Sequence, residues 1–510
     1  MLVAEALTDA SNARGFLLVL AIVLPVAGVL LAVVLGGRYA ERIALALLPI
    51  GLGVSVAIFS DVWEEGKALT YVLGGWRPPL GVRLRADGVS VVMLVTTAIV
   101  ISCTVLFARA DFSTPNDQKE ARRPFAFWTL ILAVWAALNT VFLAGDLFNT
   151  YVALELLTFA AVPLVCLDGR AETLEAALRY LVFALAGSAL YLLGTALLYG
   201  AYGTLDIGLL AERVRSEPST WTAIALMTAG LLAKTALFPL HLWLPPAHAG
   251  APAAASAVLS ALVVKGSFFV IVRIWFDVMP GLSTAVAGQL LGSLGAAAIL
   301  FGSVLALRQT RLKMLIAYST VAQIGYLFLM FPLLIGSAAA GTWGNVAWTG
   351  GWLQIVSHAF AKASMFMAAG LIAEALGHDR IAGLGGIGMA LPTTVVAFAL
   401  AGLSLMGLPP SGGFQAKWLL LTAATAEGQW WWALIILTGG LLAAGYVFSV
   451  LNQAFSKADG VMALLTPISW RREAVVLALA LCALFLGLLP LRPLDMLLIG
   501  RSNPWGAPLQ

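Results

Sequence analysis

Long uncharged apolar stretches recur along the entire chain, and each is close to the roughly 20 residues that a helix needs to cross a bilayer. A bilayer offers no water to backbone groups, so every crossing is expected to be helical. Hydrophobic residues make up 61% of the 510 positions and charged residues only 11%, against about 25% in a soluble domain. The sequence therefore predicts an all-α polytopic membrane protein. We count fourteen spans, at 15–35, 41–60, 88–108, 126–144, 147–167, 176–200, 220–240, 254–276, 285–307, 313–336, 350–376, 390–408, 413–450 with an internal break, and 472–490.

The connecting segments are short, the longest running from about residue 61 to residue 87, which leaves no room for a soluble domain. The chain has no P-loop, no dinucleotide-binding glycine motif followed by a suitable acid, and no cysteine set for an iron–sulfur cluster. Cys103, Cys166 and Cys482 are isolated, which indicates neither a metal site nor a disulfide framework. We therefore expect no cofactor, no metal, no nucleic-acid partner and no redox or nucleotide chemistry within this chain.

The basic residues are distributed unevenly between the two sides of the membrane. Assigning loops alternately to the two sides places twenty-five of the 29 basic residues in loops or at span ends, fifteen on one side and ten on the other. The richer side, here called the basic-loop side, holds Arg38, Arg42, Arg109, Lys119, Arg122, Arg123, Arg170, Arg179, Arg308, Arg311, Lys313, Arg380, Lys457, Arg471 and Arg472. The opposite side holds Arg14, Lys67, Arg77, Arg83, Arg85, Arg213, Arg215, Arg273, Arg492 and Arg501. Short cytoplasmic loops are enriched in lysine and arginine. We therefore predict a multi-pass protein of the inner (plasma) membrane with both termini outside the cytoplasm.

The four remaining basic residues, Lys234, Lys265, Lys362 and Lys417, fall inside apolar spans. A lysine at the centre of a span costs about 2.5 to 3.5 kcal/mol on insertion scales. The structural alternative is snorkelling from a helix end to the interface, which is most plausible for Lys417. The functional interpretation is a proton or cation path, because loss of hydration makes the charged form less stable and allows proton exchange.

Glu155 is the one acidic residue deep in a span, and Lys234 is its candidate partner. A carboxylate that faces a lysine can stay ionised in the bilayer at lower cost than an isolated one. We predict an intramembrane ion pair whose opening releases a proton from Lys234. The alternative is a static structural pair.

His358 and Lys362 lie four residues apart and therefore on one helix face. Two exchangeable groups on one stripe indicate a relay step, whereas a solitary histidine would more often be a packing residue. Glu374 and His378 continue the same helix toward the basic-loop side. They are candidates for a proton entrance, or equally for ordinary interfacial residues.

Two spans are interrupted by proline beside a buried lysine. Pro239 follows Lys234, and the pair Pro409 and Pro410 precedes Lys417. Proline removes a main-chain donor, and broken helices at membrane depth are tolerated where they are buried or line a cavity. Breaks in corresponding positions of two halves indicate a transporter built from inverted repeats. His241 and His248 follow the first break and could carry protons toward Lys265, or could cap the opened helix end.

Six segments between about residue 145 and residue 420 resemble the proton-conducting membrane subunits of the respiratory complex I and Mrp-type cation/proton antiporter superfamily. They are DLFNTYVALELL, GSALYLLGTALLYGAYGTLDI, KTALFPLHLWLPPAHAGAPAAASAVLSALVVKG, ALRQTRLKMLIAYSTVAQIGYLFL, SHAFAKASMFMAAG and GLPPSGGFQAK. The resemblance implies fourteen helices, with two inverted five-helix repeats and broken helices 7 and 12. Helices 1–3 would occupy 1–110, the repeats 111–279 and 280–455, and helix 14 with the tail 456–510. The short segment after helix 14 is similar to that of the shorter members, the Mrp D type included.

The resemblance also implies roles for individual residues. Glu155 and Lys234 match the family's control pair, Lys265 its central relay, His358 and Lys362 its helix 11 motif, and Lys417 its terminal group. Two positions depart from the pattern. Gln354 stands where some relatives have a histidine, and Arg179 stands where many have a lysine. Arginine stays charged and cannot relay a proton.

The sequence therefore favours a proton-translocating subunit of a multisubunit membrane complex, without an enzymatic site of its own, whose partners are other membrane subunits, protons and, as candidate counter-ion, Na⁺. An Mrp-type antiporter subunit is the leading interpretation. A complex I or membrane-hydrogenase subunit and a proton-coupled partner for inorganic carbon uptake are alternatives within the class. A membrane acyltransferase with His358 as base, and a scaffold subunit that has lost transport, are weaker. Neither accounts for the four buried lysines.

Overall fold

A computed structural model describes residues 14–114, 121–279, 282, 284–335, 342–457, 464–489 and 492–501. Lys119 and the two termini, whose side of the membrane we predict, lie outside these residues. The long helices are α1 Phe16–Leu35, α2 Gly37–Glu65, α3 Gly88–Ala108, α4 Arg122–Leu143, α5 Leu147–Val165, α6 Ala171–Tyr202, α7a Pro218–Thr235 with the short α7b Leu244–Gly250, α8 Ala253–Val278, α9 Ala285–Leu307, α10 Leu312–Leu334, α11 Thr342–Leu376, α12a Pro392–Met406, α12b Gly412–Ala426, α13 Trp430–Phe455 and α14 Trp470–Phe485. Short helices at Ile207–Arg213 and Ile387–Ala390 lie in the connections.

The longest predicted loop contains a β-hairpin. Strand β1, Leu69–Val72, pairs antiparallel with β2, Arg83–Ala86, and Tyr71 lies opposite Leu84. Apart from this hairpin and three isolated bridges, the described part of the chain is helix, turn and loop. The all-α prediction for the membrane domain is confirmed.

Eleven helices in the described residues are long and apolar enough to cross a membrane. Three of the fourteen predicted helices are not single long spans. The seventh and twelfth are broken into two half-helices, and the fourteenth is the 16-residue helix α14. The predicted stretch 413–450 is not one span. It consists of α12b and all but the last residues of α13, which a turn around Gly428 separates. Helix α12b belongs with α12a as the two halves of the broken helix.

Both breaks are made by the same backbone turn. Ala236 follows α7a with φ 58° and ψ 38°, and Gly407 follows α12a with φ 80° and ψ 46°. In each turn the next amide bonds back across the helix end, from Leu237 to the Leu232 carbonyl and from Leu408 to the Leu403 carbonyl, which is a Schellman motif. Pro239 and the pair Pro409 and Pro410 lie within the two breaks, but the left-handed turns at Ala236 and Gly407 come before them. Helix α7a has already ended at Thr235, because the chain turns left-handed at the following residue.

An equivalent pair of backbone hydrogen bonds occurs once in each half of the chain. On the opposite side, Leu147 bonds to the Leu205 carbonyl and Ile207 to the Gly145 carbonyl. On the basic-loop side, Leu312 bonds to the Asp379 carbonyl and Ile381 to the Thr310 carbonyl. The first set joins the start of α5 to the end of α6, and the second joins the start of α10 to the end of α11. One pattern on two sides of the membrane is the relation expected of inverted repeats.

Three helices form the centre of the bundle. Within the most apolar 18-residue stretch of each helix, 100% of α8, 94% of α11 and 89% of α10 is buried inside the protein, against only 28% of α1. Polar residues on these three helices are therefore enclosed by protein rather than by lipid. Four of the six side chains that are predicted to transfer protons, Lys265, His358, Lys362 and Lys417, lie on these helices or against them.

Candidate functional site

The first charged pair lies between α5 and α7a. The Lys234 Nζ atom is 3.3 Å from Glu155 Oε1, 2.9 Å from Thr158 Oγ1 and 3.5 Å from the Leu154 carbonyl oxygen. The Ser188 hydroxyl of α6 donates a hydrogen bond to the same Glu155 oxygen. The contact predicted between Glu155 and Lys234 is present, and a hydroxyl neighbour contacts each partner.

Two glycines bring this pair together. Gly187 of α6 and Gly230 of α7a face each other so closely that a Cβ on either would lie 2.2 to 2.5 Å from the other's carbonyl oxygen. Small residues at a helix crossing let backbones approach in this way. Because α6 and α7a touch there, Ser188 and Lys234, each close along its helix to one of the glycines, can both reach Glu155.

Hydroxyl groups lead from this pair toward the centre of the bundle. The Thr235 hydroxyl is 3.0 Å from the Ser267 hydroxyl of α8, two residues from Lys265. A cavity of about 10 Å³, lined in part by Thr158, Lys234 and Ser267, lies between the helices. This volume is about that of one water molecule.

Lys265 and Lys362 approach the same turn of α10. Lys265 Nζ donates to the Ser260 carbonyl, within a π-helical turn of α8, and the Ser260 and Thr320 hydroxyls are 2.9 Å apart. Lys362 Nζ is 2.5 Å from the hydroxyl oxygen of Ser319, the neighbour of Thr320. Ser319 of α10 thus contacts the Lys362 amine directly, whereas its neighbour Thr320 contacts the hydroxyl of Ser260, the residue whose carbonyl accepts from Lys265. A hydroxyl both donates and accepts hydrogen bonds, so it suits proton transfer between amines.

His358 lies one turn before Lys362, deep in the bundle. Its side chain is buried, and neither ring nitrogen has a hydrogen-bond partner within the residues that the structure describes. The charges of Lys265, Lys362 and Lys417 interact electrostatically with the imidazole. The imidazole therefore lies near three amines without a hydrogen bond to any of them in the described part of the chain.

Lys417 does not snorkel, which excludes the structural alternative considered for it. Its Nζ atom is 2.5 Å from the Leu405 carbonyl oxygen in the last turn of α12a and 4.2 Å from the centre of the Tyr326 ring. Gln323 Nε2 donates to the same carbonyl at 3.1 Å, and Gln354 donates to Gln323 at 2.9 Å. Gln354, which stands where some relatives have a histidine, thus connects α11 through Gln323 to the carbonyl that Lys417 contacts.

A Gly407→Ala variant should displace Lys417. The residue has φ 80°, and an added Cβ would lie 2.7 Å from Lys417 Cδ. We expect a cost of about 1 to 2 kcal/mol from the left-handed backbone, and slower proton transport because the amine leaves the Leu405 carbonyl. The check is thermal unfolding and transport of the same preparation. A matched Gly200→Ala change on α6, where the added Cβ meets nothing within 4 Å, is the control. Unchanged stability and transport would contradict this packing.

The remaining predicted residues have contacts other than these lysines or no hydrogen-bond partner within the described residues. His241 packs against Phe238 and Phe301 beside the first break. His248 is buried against Phe366, with neither ring nitrogen bonded within the described part of the chain. Glu374 forms a 2.7 Å ion pair with Arg472. His378 is exposed at the basic-loop side, where Arg179 also pairs with Glu175 at 3.2 Å.

Sequence reasoning missed a buried ion cluster because it counted Arg273, near the end of the predicted span 254–276, only as a marker of the opposite side of the membrane. Arg273 lies inside α8, where it contacts Asp87 at 2.5 and 2.7 Å, Asp277 at 2.6 Å and the Ser90 hydroxyl at 2.9 Å. The apolar run continues to Val278 beyond the arginine, which is the signal that could have revealed it.

Comparisons with known proteins agree with this architecture. Residues 144–443 match the family described as NADH:quinone oxidoreductase/Mrp antiporter, TM. The chain is 36% identical to the N subunit of the NADH-quinone oxidoreductase of Desulforudis audaxviator, over 81% of this chain and 80% of that protein. It is 29% identical to the D-type subunit of the Na(+)/H(+) antiporter of Bacillus subtilis, over 80% of each. Among solved structures, a chain of the Mrp complex from a Dietzia species matches with a TM-score of 0.84 and 26% identity, over 95% of this chain and 96% of that one.

Proposed function

Because the chain belongs to the NADH:quinone oxidoreductase/Mrp antiporter family of transmembrane subunits, we propose that it moves protons across the membrane as one subunit of a multisubunit complex. The observation that carries the proposal is the row of enclosed amines, Lys234, Lys265, Lys362 and Lys417, in and around the most buried helices. Charged groups in a membrane interior are expensive, and ion and proton pathways are where they are found. Redox or nucleotide chemistry, where the complex uses it, belongs to other subunits.

The contacts support a stepwise transfer. Glu155 stabilises the charged form of Lys234, so separating the pair favours loss of the Lys234 proton. In the proposed path the Thr235–Ser267 contact leads to α8, and the Ser260–Thr320 contact and the Ser319 hydroxyl connect the surroundings of Lys265 with Lys362. The last step to Lys417 is proposed to use His358 and the Gln354–Gln323 pair, of which Gln323 donates to the same Leu405 carbonyl as Lys417. Each amine accepts a proton when neutral and donates one when charged.

We propose an Mrp-type monovalent cation/proton antiporter as the complex, with Na⁺ as the counter-ion. The structural match to the Mrp complex over nearly the whole chain and the likeness to the D-type antiporter protein support this choice. The 36% identity to the N-type protein favours a second candidate, a proton-pumping subunit of an NADH:quinone oxidoreductase-like complex. The acyltransferase alternative lacks support, since His358 contacts no nucleophile or acid among the described residues.

We further propose that the chain lies in the plasma membrane with the basic-loop side cytoplasmic and both termini outside the cytoplasm. Residues 111–279 and 280–455 would form the two repeats, flanked by helices 1–3 in 1–110 and helix 14 with the tail in 456–510. The paired hydrogen bonds at the starts of α5 and α10 support this division.

The function is tested on the purified complex that contains this chain. Its partner subunits are identified, and proton movement in vesicles is measured with and without Na⁺. Sodium-dependent proton exchange supports the antiporter. Sodium-independent pumping driven by a redox substrate supports the second candidate, and the absence of both types of proton movement in an intact complex would contradict the proposal.

A Glu155→Gln variant separates a switching pair from a static one. Glutamine can still accept the Ser188 hydrogen bond, but Lys234 loses its counter-charge. We expect transport to fall about tenfold or more, because the loss of a facing charge shifts a proton equilibrium by at least that factor. Initial rates of proton movement in vesicles are the measurement.

The control is Glu175→Gln, which removes a carboxylate from the exposed ion pair with Arg179. This variant should transport normally. If a stably folded Glu155→Gln complex also transported at the unmodified rate, the pair would be structural and the proposed switch would be wrong.

A further inference from the structure

Helix α8, at the centre of the bundle, contains two π-helical turns, Leu259–Val263 and Ile274–Val278. A π turn closes its hydrogen bonds over five residues instead of four, and such turns are frequent at functional sites. Each therefore holds one residue more than a continuous α-helix needs. The first π turn ends two residues before Lys265, and the second begins directly after Arg273, which the carboxylates of the buried ion cluster hold in place. The extra residue of the first turn thus lies beside an amine of the proposed path and away from the fixed end of the helix.

The side chain of Lys265 uses a carbonyl that the first π turn makes available. The Val264 amide donates to the Leu259 carbonyl, five residues back. In an α-helix the same amide would donate to the Ser260 carbonyl, four residues back. In the structure the Nζ atom of Lys265 donates to the Ser260 carbonyl. The amine thus takes the acceptor that α-helical geometry would give to Val264, so the lysine contact and the π turn support each other.

Lys265 and the next residue of α8 face different neighbours. The charge of Lys265 interacts electrostatically with that of Lys362. Gly266 faces α5 instead, where an added Cβ would lie 3.4 Å from a side-chain carbon of Leu157. Leu157 and Lys234 line the same small cavity beside the first charged pair. A rotation of α8 by one residue position would therefore turn Lys265 away from Lys362 and toward the surroundings of Lys234.

We propose that the first π turn moves along α8 past Lys265 and thereby turns this lysine between α10 and α5. The inference rests on the proposed function. When the turn before Lys265 takes α-helical geometry and the extra residue is accommodated after it, the lysine rotates by about 100°, the angle between successive residues of an α-helix. Its side chain then points where Gly266 points now, and Gly266 has no side chain that the new turn must place. Arg273 keeps its contacts, because the extra residue stays within the helix before it. Lys265 faces Lys362 in one form and the cavity beside Lys234 in the other.

A reversible cross-link tests whether this part of α8 must move. In a complex whose chain has its three native cysteines replaced by serine, Gly266→Cys and Leu157→Cys are joined by a short, reducible bis-methanethiosulfonate reagent. We expect proton transport to fall about 100-fold, the lower end of what a positioned proton-transfer group contributes, and to return on reduction. The control pair is Gly288→Cys with Ile335→Cys, where an added Cβ also lies close, at 3.1 Å, and its cross-link should leave transport unchanged. Transport at the unmodified rate by the cross-linked Gly266→Cys, Leu157→Cys complex would overturn the moving turn.

Amide hydrogen exchange tests the same motion in the unmodified complex and without a transport assay. Residues 260–266 and 267–272 of α8 are equally buried. Because a moving turn breaks and remakes its hydrogen bonds, we expect the amides of the first segment to exchange at least about tenfold faster than those of the second. Equal exchange of the two segments would overturn the proposal. If Lys417→Ala is inactive while the cross-linked Gly266→Cys, Leu157→Cys complex transports normally, the proposed function stands and only the moving turn fails.

Discussion

Replacing Lys417 with alanine should reduce proton transport by the complex about 100-fold while the protein stays folded. The amine donates to the last turn of α12a at the second break, and alanine leaves the Leu405 carbonyl without its charged donor. A positioned proton-transfer group contributes at least about 100-fold, and no other lysine contacts this carbonyl in the described part of the chain. The measurement is the initial rate of proton movement in vesicles that contain the purified complex, with and without Na⁺.

Two further variants define what the lysine does. Lys417→Arg keeps a charge and a hydrogen-bond donor but remains protonated, so it should also be inactive. Lys457→Ala removes an exposed lysine from the basic-loop side and should be without effect. Normal transport by Lys417→Ala would show that the row of amines is not the pathway, whereas recovery in Lys417→Arg alone would leave the lysine only an electrostatic role.

The largest loss of stability is expected for Arg273→Met. Arg273 neutralises Asp87 and Asp277 inside the bundle, with a side chain only 13% exposed. Burial alone would raise the pKa of the Asp87 carboxyl, but the charge and hydrogen bonds of Arg273 outweigh it and hold the pKa below its usual value. Breaking a buried ion pair by removing one partner costs about 3 to 5 kcal/mol. Thermal unfolding in detergent should therefore occur at a clearly lower temperature.

The triple variant Arg273→Met, Asp87→Asn, Asp277→Asn provides the comparison. Removing the whole cluster leaves no uncompensated charge, so most of the lost stability should return. Arg179→Met, which breaks an exposed ion pair, should change stability by less than about 1 kcal/mol. If the Arg273→Met protein unfolded at the unmodified temperature, the cluster would not contribute to stability as its geometry indicates.

The sequence predicts much of this fold because the physical signals are local. A crossing requires an apolar run of fixed length, and a lysine within such a run is visible at once, as Lys265 and Lys362 are. The four-residue spacing of His358 and Lys362 places them on one face wherever that helix lies. The ion pair of Glu155 with Lys234 could be predicted because Glu155 is the one acidic residue deep in a predicted span and Lys234 is a lysine inside a nearby span.

Other features depend on contacts between distant segments. The residue type at position 236 does not indicate a left-handed turn, because alanine favours helix. The sequence therefore points to Pro239, three residues later, as the helix breaker. Arg273 is counted only as a topology marker in the sequence, because a charge near the end of an apolar run looks interfacial until its partner Asp87, the residue that caps α3, is known. Lys313 was counted as a topology marker for the same reason. Its 3.0 Å hydrogen bond to the Ala251 carbonyl follows only from the packing of α7b against α10.

The two breaks have a consequence for how the two halves of the chain are compared. The left-handed turns align Ala236 with Gly407, so Lys234 corresponds to Leu405, an apolar residue, rather than to Lys417. Yet the amine of Lys417 reaches back to the carbonyl of that same Leu405. The first half carries its amine before the break, and the second half carries it beyond the break. A residue-by-residue alignment of the halves would pair Lys234 with an uncharged residue, although each half has an amine at the end of its first half-helix.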